Sequence, residues 1–102
     1  MKMFAITGLL FTALALGADA GNTVAVSIKN GFDPVTVNIH VGDTVQWTNN
    51  DDRDHEVVAA DGSFDSGNLK SGQSWSHTFS AAGNYPYSCA LHPREKGTIN
   101  VK

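Results

Sequence analysis

The chain reads as an all-β protein, a sandwich of about seven to eight short strands. Three observations carry this: apolar residues alternate at period two, turn signals separate the runs, and no stretch repeats at the helical period. With 102 residues, it has room for one domain.

Val24, Val26 and Ile28 alternate with Ala25 and Ser27, which places one apolar face inward, and Asn30-Gly31 ends the run as a turn. Val35, Val37 and Ile39 repeat the pattern around Thr36 and Asn38. Gly42-Asp43 turns the chain, and Val45 and Trp47 carry a third strand. Asn49 to Asp54 is polar and loop-like, and His55 stands where an apolar run, Val57 to Ala60, begins. From Asp61 to Gln73 the chain is rich in Gly, Ser and Asp, and Phe64 and Leu69 are expected to pin this loop to the core. Trp75, His77 and Phe79 alternate with Ser74, Ser76 and Thr78. Ala82-Gly83-Asn84 then turns into Tyr85, Tyr87 and Cys89, which share one phase and should point inward. Pro86 lacks an N–H, so its position must go without one ladder bond. Gly97 to Val101 closes the sheet.

The first twenty residues have a different character. Met1-Lys-Met is a short basic start, Phe4 to Gly17 is apolar, and Ala18-Asp-Ala20 is a small-x-small cleavage signal. Residues 1–20 therefore read as a Sec-type signal peptide and residues 21–102 as the mature domain. Export to the periplasm is expected, without a membrane anchor, as a monomer. The net charge of −3, without a Lys/Arg cluster, argues against nucleic acid as a partner. Asp51, Asp52, Asp54 and Glu56 around Arg53 read as a solvated loop.

The chain has a single cysteine, so an internal disulfide is excluded. A lone thiol in an oxidising compartment is protected if it binds a metal, and the metal adds stability to a small domain. Cys89 and His92 form a C-x2-H pair in a turn between two strand-like runs. A second imidazole would complete a His2Cys set, the signature of an electron-transfer copper site with a weak axial ligand. His55 is the candidate. His77, in phase with Trp75 and Phe79, reads as a packed histidine, and His40 as solvent-exposed. Trp47, Trp75, Phe79 and Tyr85 read as core. A nucleophilic Cys89 would need a positioned base and a pocket, and no pocket signal accompanies it.

His55, Asp61-Gly-Ser-Phe64, Gly72-Gln-Ser-Trp-Ser-His-Thr-Phe79, Gly83-x-Tyr-x-Tyr-x-Cys89-x-x-His92-Pro93 and Gly97-Thr-Ile-x-Val101 together resemble a cupredoxin of the plastocyanin or amicyanin type. The resemblance covers essentially all of residues 21–102. It implies a Greek-key β-sandwich holding one copper, cycling between Cu(I) and Cu(II), that passes one electron between redox partner proteins. It implies His55, Cys89 and His92 as equatorial ligands and aligns Glu95 with the family's axial methionine.

Both methionines, Met1 and Met3, lie in the signal segment, so no thioether replaces it. As a ligand, Glu95 would be hard and anionic and would favour Cu(II); otherwise it would pair with Lys96 or Arg94 at the surface. Arg94 also departs from the resemblance, standing where a bulky apolar residue is common. Glu56 stands where a small polar residue is usual, and reads as solvated. The alternative function is a copper storage or delivery module without a redox partner, and zinc also fits such a donor set.

Overall fold

The computed structural model describes residues 21–102, and the expected signal peptide lies outside them. Eight strands form two four-stranded sheets. They are β1 (Thr23–Ile28), β2 (Phe32–Asp33), β3 (Thr36–Ile39), β4 (Thr44–Asn49), β5 (Val57–Ala59), β6 (Ser74–Thr78), β7 (Gly83–Cys89) and β8 (Lys96–Val101). One sheet runs β2-β1-β4-β6 and the other β3-β8-β7-β5. Both are mixed: β1 lies parallel to β4 and β3 parallel to β8, while the remaining pairs are antiparallel. The described residues contain no helix, as the period-two pattern requires.

The alternation places Val26, Ile28, Val45 and Trp47 inward from one sheet. Val37, Ile39, Tyr87, Cys89, Ile99 and Val101 face them from the other. Trp47 is fully enclosed. Its ring stacks on Trp75 at 5.6 Å and meets Tyr87 edge-on at 5.5 Å, each such pair contributing about 0.5–1.5 kcal/mol beyond area burial. Gly97 pairs with Tyr87 across β7 and β8, and a Cβ there would collide with the Tyr87 ring. Phe64 and Leu69 are buried and hold the long loop against the core as expected.

Some expectations need correction. Val35 is 59 % exposed: it precedes β3, after the cis Asp33–Pro34 bond, and its strand phase has not yet begun. Trp75 and Tyr85 are half-buried, because β6 is the edge of its sheet and Tyr85 reaches out to donate to the Ala81 carbonyl at 2.7 Å. Pro86 sits opposite Thr98 on β8, and its carbonyl accepts from Ala60 N–H just beyond the end of β5. Its missing donor therefore falls where the partner strand has ended. Asn49, read as loop, is the last residue of β4 and is fully buried. At the β1–β2 turn, Asn30 and Gly31 have φ of 57° and 126°, the left-handed region that Asn and Gly tolerate.

Candidate metal centre

The loop joining β7 to β8 is built from two successive turns. His92 N–H donates to the Cys89 carbonyl at 3.3 Å, and Glu95 N–H donates to the His92 carbonyl at 2.9 Å. A third bond, from Cys89 N–H to the Glu95 carbonyl at 3.0 Å, closes the loop on itself. Residues 89, 92 and 95, three apart, therefore come back to the same side, and Pro93 between them has no N–H to leave unpaired.

His55 arrives from the opposite direction. Its N–H and carbonyl both bond to Leu69, at 3.0 and 2.7 Å. The long loop that Leu69 pins thus fixes the backbone of a residue distant in sequence from Cys89.

These two segments bring His55, Cys89, His92 and Glu95 together, with one donor atom from each lying within 4.8 Å of all the others. Cys89 Sγ is 3.7 Å from His55 Nδ1 and 3.5 Å from His92 Nδ1. Glu95 Oε1 is 3.1 Å from His55 Nδ1 and 3.7 Å from His92 Nδ1. A tetrahedral ion with bonds of about 2.0–2.3 Å spaces its donors about 3.3–3.8 Å apart, so these separations suit one shared ion. A second observation agrees. Glu95 Oε1 is buried, stands among the ring nitrogens, and makes no hydrogen bond, a costly arrangement for a carboxylate oxygen unless a cation completes it. The surface pairing of Glu95 with Lys96 or Arg94 is not what forms: its other oxygen lies 3.6 Å from Arg53.

Around the donors lies a layer that sequence reasoning missed. Asp51, expected in a solvated loop, is buried and turned inward. Its Oδ2 lies 3.0 Å from His55 Nε2 and 3.2 Å from the Arg53 guanidinium, and Oδ1 accepts from Asp52 N–H at 2.8 Å. The His55 ring is the main reason that the Asp51 carboxyl is held far below the usual carboxylate range; burial opposes this less strongly. With Nε2–H donated to Asp51, the lone pair of His55 is left on Nδ1, facing the sulfur. Asn49 sets the bend, accepting from Asp51 N–H at 2.9 Å and donating to the carbonyls of Arg53 and Leu69. An Asn at a strand end followed two residues on by Asp is the signal that could have revealed it.

Glu56, expected to be solvated, is half-buried. Its N–H donates to Cys89 Sγ at 3.4 Å, and Asp65 beside it raises its carboxyl above the ordinary range. Asp52 and Asp54 are exposed as expected. His40 is also exposed. His77 is half-buried against Phe64, Trp75 and Phe79 and away from the donors. Burial lowers its pKa.

The model of the cupredoxin-like domain matches residues 2–101. Among similar proteins, amicyanin-alpha of Methylorubrum extorquens is 34 % identical over 90 residues, covering 83 % of this chain and 76 % of its own. Plastocyanin of Scenedesmus fuscus is 36 % identical over 100 residues, covering 85 % and 95 %. A purple cupredoxin from Nitrosopumilus maritimus superimposes with a TM-score of 0.72 at 29 % identity, over 78 % of this chain and 99 % of that one. The donor set of two imidazoles, a thiolate and an unpartnered carboxylate oxygen fits a single copper ion in a blue-copper-like arrangement, with Glu95 in place of methionine. Cys89 thus lies among donor atoms that could hold one metal ion. The chain belongs to the cupredoxin family.

Proposed function

We infer that this protein is an exported, periplasmic one-electron carrier working between redox partner proteins, in which His55, Cys89, His92 and Glu95 together hold the copper. Copper, when bound, supplies the Cu(I)/Cu(II) couple. Every other property of the carrier comes from the chain. The thiolate and two neutral imidazoles suit both oxidation states. Their fixing by Asp51, the Leu69 pairing and the loop turns keeps them from rearranging when the charge changes.

Glu95 adds a hard, negative donor that favours the more positive oxidation state and lowers the reduction potential relative to a thioether. The Glu56 N–H on the sulfur acts the other way, drawing electron density from the thiolate. His92 is the donor ring nearest solvent, with 27 % of its side chain exposed, while that of His55 is fully buried. The electron's exit therefore runs through His92, beside the exposed Leu91.

The observation that carries this reading is the convergence of four donor atoms, one of them an otherwise unpartnered carboxylate oxygen. The proposal also includes cleavage after Ala20 and a monomeric carrier with no catalytic turnover. One observation favours a copper storage or delivery role instead: the anionic Glu95 among the donors biases the site toward Cu(II). Voltammetry separates the two. Reversible cycling at an accessible potential supports the carrier, and tight Cu(II) retention with sluggish reduction supports storage. Metal analysis of protein from its native compartment decides copper against zinc.

A further inference from the structure

The end of the sandwich that carries the metal donors also gathers most of the positive charge of residues 21–102. A cleft of about 590 Å³ opens beside Glu95, between the β1–β2 turn and the segment leading into β8, and Lys29, Arg94 and Lys96 line it. All three are exposed. None forms an ion pair among the described residues. Two acids share the wall, Asp33 and Glu95, but the Glu95 carboxylate is turned toward His55, His92 and Arg53. Asp33 alone is left to offset three cations.

Arg53 borders a second cleft that shares Lys29 and Asn30 with the first, but Asp51 and Asp52 line it too and offset its cations. Of the cationic side chains in residues 21–102, only Lys70 and Lys102 stand outside both clefts. On a chain of net charge −3, the excess of cations is confined to the first cleft, where three unpaired cations around Asp33 can attract an anionic segment. The wall is not purely polar. Val35, one of three large apolar side chains left exposed among the described residues, forms part of it. An inorganic anion would leave that apolar surface unused, whereas a peptide segment would cover it.

We propose that this cleft docks an acidic segment of a partner protein, with carboxylates on Lys29, Arg94 and Lys96 and an apolar side chain against Val35. Docking there would bring the partner beside Glu95, at the end of the molecule where the electron leaves. The inference rests on the carrier reading for the partner's being a redox protein; the binding itself does not depend on which residues hold copper.

The test is a titration of the isotope-labelled, Cu(I)-loaded protein with a short glutamate-rich peptide containing one leucine, followed by amide chemical shifts. Shifts confined to Asn30, Gly31 and residues 94–96, weakening as sodium chloride rises, are expected. The triple variant Lys29→Glu, Arg94→Glu, Lys96→Glu should bind at least about tenfold more weakly, and Lys70→Glu with Lys102→Glu should leave these cleft shifts unchanged. All five positions are exposed, and an unchanged amide spectrum of the free variants verifies the fold. Equal weakening by the control pair, or shifts scattered over the surface, would overturn the proposal. So would inorganic phosphate at matched ionic strength binding as well as the peptide, which would leave a small-anion site only. Loss of the metal spectrum with peptide binding intact would count against the carrier reading alone.

Discussion

Asp43 precedes β4 and Asp51 follows it, and both are buried, at 7 % and 8 % exposure. Asp43 turns its two oxygens to backbone: Oδ1 accepts from Asn22 N–H and Oδ2 from His40 N–H, each at 2.9 Å. Asp51 also accepts backbone N–H groups, but its Oδ2 faces an imidazole whose other nitrogen faces a thiolate. The first carboxylate fastens Asn22 and one turn. The second orients the ring that we propose as a metal donor. Residue type, burial and a nearly symmetric place on one strand are shared, so the difference lies wholly in what each carboxylate faces.

Substitutions along this strand would sharpen the contrast. The largest effect is expected midway between the two acids, where Trp47→Ala removes the ring that stacks on Trp75 and meets Tyr87. A loss of about 3–5 kcal/mol is expected, read by denaturant unfolding of the copper-free protein. Next comes Asp51→Asn, which keeps the shape but weakens the hold on His55. Metal affinity, measured by competition with a chelator, should fall about 10- to 100-fold, alongside a lower thermal midpoint of the copper-free chain, because the folded state holds the Asp51 carboxyl ionised beside His55. A large drop in that midpoint with unchanged metal affinity would erase the distinction.

Asp43→Asn should lower the midpoint and leave metal affinity intact. Its pH dependence has a definite sign. The N–H groups of His40 and Asn22 hold the Asp43 carboxyl below its ordinary value of 3.8, so its contribution is present above that value and lost as pH falls through the lower, folded one. Thermal scans on descending pH should therefore show a shallower acid decline in Asp43→Asn than in the parent.

Most of the fold was legible because half-buried strands print their period directly, as Val45 and Trp47 or Tyr87 and Cys89 do. Cys89 and His92 were legible for a local reason, their C-x2-H spacing on one tight loop, whereas Glu95 was found through its alignment with the family's axial methionine. His55 needed the family resemblance to strengthen it, since its distance in sequence from Cys89 gives no spacing to read. Asp51 was hidden because its inward turn depends on the Asn49 side chain and on a ring contributed four residues later, neither of which leaves a periodic trace. Val35 misled for the opposite reason: it keeps the rhythm of β3 but stands before the strand begins. The cationic cleft was invisible because Lys29 joins Arg94 and Lys96 only when β1 and β8 are folded side by side at one end.

The proposed four-donor site requires that Glu95 share one ion with His55, Cys89 and His92. The direct measurement is a comparison of the parent and Glu95→Gln, each copper-loaded, by absorption, electron-spin resonance and voltammetry. Removing the anionic oxygen should shift the thiolate-to-copper bands and raise the reduction potential. Superimposable spectra and equal potentials would contradict the four-donor site and return Glu95 to the surface.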